Sequence, residues 1–188
     1  MKEQLFTDAH TAYAFTSEGV PDSQLEEIYE LMKFAPTPMN SQAFRVLFIR
    51  TDEGKRRLIP HLAEMNRPKS ESAPVVAVLA YDSDFHEHLP HVWPPNPNAK
   101  DSHADPVKRA ASAKEIATLQ AGYFIMAVRA VGLDAGPMAG FSREGVDAEF
   151  FAESTWRSLY VVNIGHAAPE GIRPRNPRLT KEIATNWA

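Results

Sequence analysis

The run Val75-Val76-Ala77-Val78-Leu79-Ala80-Tyr81 decides how the chain is read. It is apolar at odd and even positions alike, so both faces of a strand built from it must be covered. Such a strand belongs in the middle of a sheet. Working outward, Phe44 to Arg50 (FRVLFIR) is rich in branched and aromatic residues and has the length of a strand. Trp156 to Gly165 contains Leu159-Tyr160-Val161-Val162-Asn163-Ile164, a further buried strand. Leu133 to Gly140 (LDAGPMAG) reads instead as a short apolar turn, because glycine and proline interrupt it.

The segments between the strands have helical spacing. After Val20-Pro21-Asp22, Ser23 is placed to cap a helix, with Glu26 as its capping-box partner. Leu25, Ile28, Leu31 and Met32 then share one face, and Ala35-Pro36-Thr37-Pro38 ends the helix. Thr51-Asp52 can cap a short helix with Leu58, Ile59 and Leu62 inward, broken at Pro60. Asp105-Pro106 is a strong start signal for the longest helix. That helix runs to Val131, carries Ile116, Leu119, Tyr123, Met126, Ala127 and Ala130, and ends at Gly132. Ser142 to Phe151 reads as one more short helix. Helices and strands are mixed without regular alternation, which gives an α+β fold.

The stretch Pro90 to Pro106 holds five of the 15 prolines and reads as an irregular loop. Loops of that length are often lids or binding loops, so it reads either as a place for substrate selection or as a passive surface excursion. The 188 residues, 44% hydrophobic and 23% charged, suit a single domain spanning 1–188. A chain of this size buries roughly 70% of its unfolded surface and needs no staple. Having no cysteine excludes thiol catalysis, zinc ribbons and iron–sulfur clusters, so any redox chemistry must come from a bound organic cofactor. A net charge of -4 argues against a nucleic-acid partner. Met1-Lys2-Glu3-Gln4-Leu5 has no long apolar core of a secretory signal, and Ala73 to Tyr81 is too short to span a bilayer. The expectation is a cytoplasmic protein without a membrane partner.

Familiar nucleotide motifs are missing. There is no GxGxxG, Gly54-Lys55 lacks the upstream glycine of a P-loop, and Gly140 to Gly145 has the wrong spacing for GxSxG. His86 and His88 would project together on an extended segment, with His91 close by, as a metal could use. With no carboxylate partner or HExxH frame, a solvated loop is the better reading and no metal is assigned. Arg173, Arg175 and Arg178 place three cations within six residues of an acidic chain. Prolines hold them extended, and guanidinium forks suit a phosphate. By themselves, those arginines also read as a solvated tail, His10 as a loop histidine and Asn66 as a turn residue.

Four segments stand in order along the chain: Ala9-His10-Thr11-Ala12-Tyr13-Ala14-Phe15 with Val20-Pro21-Asp22; Ala35-Pro36-Thr37-Pro38-Met39-Asn40-Ser41-Gln42; Gly132 to Phe141 (GLDAGPMAGF); and Asn163-Ile164-Gly165 with the Arg173-x-Arg175 pair. Together they resemble the FMN-dependent nitroreductase family. GPMAGF, TDEGK and APVVAVLAYD look most like malonic semialdehyde reductases of pyrimidine degradation. The resemblance implies a central, mostly antiparallel sheet flanked by helices, in a homodimer with FMN at the subunit interface. It implies hydride transfer from NADH or NADPH through flavin N5 to a small aldehyde such as malonic semialdehyde (3-oxopropanoate). A nitroaromatic or quinone acceptor is the alternative, as is a flavin-binding module without turnover.

The same resemblance assigns residues. Arg173 and Arg175 would meet the ribityl phosphate, with His10 and Thr11 beside it. Thr37, Pro38, Asn40 and Gln42 would lie by the isoalloxazine, and Asn66 would hydrogen-bond it. Pro137, Met138, Ala139 and Gly140 would lie against the ring, with the Gly140 N–H near N5. No catalytic side chain is expected, because the flavin carries the chemistry. Two positions depart from the family: Ala9 stands where an arginine is usual, and Tyr13 where an arginine or lysine is usual. Ala139 replaces a frequent glutamate.

Overall fold

A computed structural model describes residues 2–188. Four strands form one fully antiparallel sheet: β1 (Phe44–Ile49), β2 (Val75–Asp82), β3 (Asp134–Met138) and β4 (Trp156–Gly165), in the spatial order β1-β2-β4-β3. Among the described residues there are seven α-helices: α1 (Asp22–Met32), α2 (Asp52–Leu58), α3 (Arg67–Ser72), α4 (Leu89–Val92), α5 (Pro106–Ala130), α6 (Arg143–Phe150) and the exposed α7 (Lys181–Ala184). The architecture is the expected α+β one.

The strand β2 does what its composition requires. Val75, Ala77 and Leu79 pack with Ile28, Met32, Phe124 and Val128 of α1 and α5. Val76, Val78 and Ala80 pack on the opposite face with Ala12, Phe15, Leu58, Leu62 and Val146. Neighbouring β4 is equally enclosed, Asn163 included. That buried amide accepts a hydrogen bond from the Ser70 hydroxyl at 2.9 Å, which offsets its desolvation.

The caps of α2 and α5 follow the sequence, and Ser142, read there as the first residue of its helix, is the cap of α6. Thr51 accepts from the Gly54 N–H, Asp105 from the Val107 and Lys108 N–H groups, and Ser142 from the Gly145 N–H. Gly132, at φ 84°, turns the chain after α5.

Four expectations are corrected. Helix α1 starts at Asp22 after Pro21, inside the position expected for the cap, so Ser23 is a helical residue and caps nothing. Leu31, Leu119 and Tyr123 are 44%, 50% and 43% exposed, so the apolar faces of α1 and α5 are wider than this chain's own core. Leu133 to Gly140 is not a turn but contains β3. It is an edge strand, where Pro137 costs no interior ladder bond. Pro90 to Pro106 is not irregular throughout: Pro90 sits in the first turn of α4, residues Ala99–His103 make a further helical turn, and Ala99 is buried.

Candidate active site

The backbone brings the two ends of the chain together. Residues 10–16 lie between β3 and the segment leaving β4. The Ala12 N–H donates to Ala135 O (3.1 Å), Tyr13 N–H to Gly171 O (2.9 Å) and Thr16 N–H to His166 O (2.8 Å), while Ala168 N–H donates back to Ala14 O (3.0 Å). Gly171 permits this approach: a Cβ there would lie 2.5 Å from Ala14 O and 2.6 Å from Ala14 N.

This clamp opens a cleft of about 530 Å³ in which His10 and Thr11 face Arg173, Arg175, Arg178 and Arg129. No carboxylate lines it among the described residues. Arg175 Nη2 donates to Thr7 O and Ala9 O, each at 2.7 Å, which ties the tail to the N-terminal segment. His10 Nδ1 lies 3.1 Å from Arg173 O.

Tyr13 also lines the cleft and gathers two cations. The Arg173 guanidinium is 4.1 Å and Lys69 Nζ 4.7 Å from its ring centroid. Burial, and then the Arg173 charge, lower the Lys69 ammonium pKa below its ordinary range. Lys69 Nζ donates to Asn66 Oδ1 at 2.8 Å, and Asn66 Nδ2 donates to Gly140 O at 3.0 Å. The Gly140 carbonyl accepts a second bond from the Ala63 N–H at 2.9 Å, while its own exposed N–H has no acceptor among the described residues. A Cβ at Gly140 would fall 2.9 Å from Asn66 Nδ2, so the position is shaped for glycine.

Asn66 and Gly140 are thus joined to the cleft through Lys69 and Tyr13. Pro137 and Ala139 accompany Gly140 at or near the surface, but Met138 does not: its side chain is buried in the core layer and its sulfur lies 3.9 Å from Asn163 Nδ2.

Thr37, Pro38, Asn40 and Gln42 form a separate group that does not line the cleft. Met39, Asn40 and Gln42 have φ of 52°, 51° and 46°, a left-handed backbone costing about 1–2 kcal/mol per residue. The strain is held by Thr37 Oγ1 accepting from the Gln42 N–H (3.3 Å) and by Asn40 Nδ2 donating to Val92 O of α4 (2.9 Å). Pro38 and Met39 face His103, Ile116 and Leu119 across a cavity of about 430 Å³.

The sequence reading did not single out Arg129 or Lys69. Lys69 sits three residues after Asn66, the spacing that lets it hydrogen-bond that side chain; Arg129 looked like an ordinary basic residue in the last turn of a helix. Of the histidines, His86 is largely buried with its side chain 12% exposed, while His88 is 59% exposed. Among the described residues no group of three or more His, Cys, Asp or Glu is placed to hold a metal. Nor is any helix long and apolar enough to cross a membrane.

The family model described as "Nitroreductase family" matches residues 7–166. The chain belongs to the nitroreductase family. A Streptomyces coelicolor relative, provisionally named NADH dehydrogenase/NAD(P)H nitroreductase, is 58% identical over 185 residues, 98% of this chain and 92% of its own length. Two solved nitroreductase structures share the fold. One, from Bacillus subtilis, has a TM-score of 0.86 at 19% identity, covering 100% of this chain and 98% of its own. The other, from Exiguobacterium sibiricum and in complex with FMN, has a TM-score of 0.85 at 19% identity, covering 98% and 96%.

Proposed function

We propose that this nitroreductase-family chain is a cytoplasmic, homodimeric FMN-dependent oxidoreductase that takes hydride from NADH or NADPH and delivers it to a small-molecule acceptor. The observation that carries the reading is the arginine-lined cleft, free of carboxylates among the described residues, whose Tyr13 is linked through Lys69 and Asn66 to the carbonyl of Gly140. The donor set fits FMN: Arg173, Arg175, His10 and Thr11 would hold a dianionic phosphate, and Asn66, Gly140 and Ala139 would meet the ring. When bound, FMN supplies the hydride acceptor and donor that a chain without cysteine lacks. Gly140 offers its N–H where a side chain would clash, Pro137 gives an apolar edge, and Lys69 keeps a cation beside Asn66.

Homodimerisation is supported by two features. Thr37, Pro38, Asn40 and Gln42 lie apart from the cleft within one protomer, and Leu31, Phe34, Leu119 and Tyr123 leave apolar surface on α1, just after it and on α5. A second copy can cover that surface and supply the separated segment. The favoured acceptor is a small aldehyde such as malonic semialdehyde, with nitroaromatics and quinones as the alternative. The segment holding α4 accepts a hydrogen bond from Asn40 at Val92 O, and its His103 lines a cavity with Met39, which supports its role in choosing the acceptor.

Purified protein is expected to bind FMN, to bleach on anaerobic addition of NADH or NADPH, and to regain colour with a preferred member of an aldehyde, nitroaromatic and quinone panel. Protein that takes up FMN but is bleached by neither nicotinamide is a binding module. Protein that takes up no FMN overturns the reading.

A further inference from the structure

One cation of the cleft has a different origin from the rest. Arg173, Arg175 and Arg178 lie on the exposed segment after Gly171, whereas Arg129 projects from the last turn of α5, a helix whose buried side packs on the sheet. Its guanidinium is already oriented. Nη1 donates to Leu5 O at 3.0 Å, and Nε is buried without a partner. Nη2 has no acceptor, and no carboxylate pairs with the group, among the described residues. Burial, and then the Arg175 charge, lower its pKa below the ordinary arginine range, with Asp134 acting in the opposite sense. Arg129 and Arg175 line one cleft whose described lining holds no carboxylate, so their like charges oppose each other there.

The position of Arg129 is also telling. It lines the cleft beside Ala9, and the two line a neighbouring cavity of about 260 Å³ as well. The small Ala9 side chain leaves room for the α5 guanidinium to approach the cleft. An anion between Arg129 and Arg175 would offset their like charges and give Arg129 Nη2 an acceptor.

We infer that Arg129 is an anchoring residue of the phosphate site, an arginine delivered from α5 to the place that Ala9 leaves without charge. The inference rests on the FMN reading above and concerns how the phosphate end of that ligand is held. A phosphate dianion bound there is gripped from a rigid helix on one side and from the chain's tail on the other.

The test compares FMN with riboflavin, which lacks the phosphate, by fluorescence quenching on full-length protein freed of flavin. Arg129→Gln is expected to weaken FMN about ten-fold or more, as one charge-assisted hydrogen bond would, and to leave riboflavin within about two-fold. Adding Ala9→Arg to that variant is expected to recover FMN affinity. Equal losses for both ligands, or no loss for FMN, overturn the inference and leave the FMN reading standing. Wild-type protein that binds neither flavin overturns the FMN reading itself. Should Arg129→Gln not fold, Arg129→Lys keeps the charge but loses the fork. FMN weakened selectively in that variant supports the inference, and unchanged or equally weakened ligands overturn it.

Discussion

At the scale of single residues, Tyr13 changes how the charge of the cleft is understood. A cation at that position would have repelled Arg173; a tyrosine attracts both Arg173 and Lys69 to its ring instead. Cation–π contacts contribute about 0.5–1 kcal/mol each where exposed and more where desolvated. Tyr13→Phe keeps the ring and is expected to unfold in urea within about 0.5 kcal/mol of wild type, whereas Tyr13→Ala is expected to lose about 1–2 kcal/mol. An alanine variant as stable as the phenylalanine one would show that the ring organises nothing. Arg173 and Arg175 were legible because the tail arginines are prominent in an acidic chain, whereas His10 and Thr11 came only with the family resemblance. Arg129 was not, since a basic residue at the end of a helix is already explained by the helix dipole.

At the scale of elements, reading was easiest where burial is two-sided or a cap is chemical. The β2 run and the caps Thr51 and Asp105 followed from side-chain type alone. The strand β3 was hidden because Gly136 and Pro137 are poor strand formers in isolation; its place at the edge of the sheet, invisible in sequence, makes them acceptable. Leu31, Leu119 and Tyr123 follow helical spacing yet stay exposed, because periodicity reports an apolar face and not what covers it. Gly171 was overlooked for the same reason: nothing local requires it, while the Ala14 backbone packed against it does. Gly171→Ala forces that backbone apart and is expected to cost about 1–3 kcal/mol, with faster amide exchange at Ala12, Tyr13 and Thr16. Unchanged exchange at those amides would mean the clamp is dispensable.

At the scale of the whole molecule, acid stability should depend on Asp82 at the end of β2. Burial alone raises its carboxyl pKa, but the Thr155 hydroxyl (2.6 Å), the Asp84 N–H (2.9 Å), Arg45 (2.8 Å) and His88 together hold it below the ordinary range. A carboxyl depressed in the folded state contributes stability that is complete above its unfolded pKa of about 4 and is lost as pH falls through the folded value. Melting temperature is therefore expected to fall steeply below about pH 4. Asp82→Asn should melt lower at pH 7 and show a shallower acid limb, and parallel wild-type and variant curves would exclude the assignment.

The meeting of the two termini also bears on when the protein becomes competent. His10 and Arg173 touch across 163 positions of sequence, and the last strand closes at Gly165, ahead of every tail arginine. During synthesis the sheet can assemble before those cations have emerged. The arginine-lined cleft is completed only after the sheet. A ligand that bridges the two ends acts as a clasp on a loop nearly as long as the chain, and the entropy of closing that loop has already been met by the sheet. Ligand capture thereby distinguishes a finished chain from one released short of its tail.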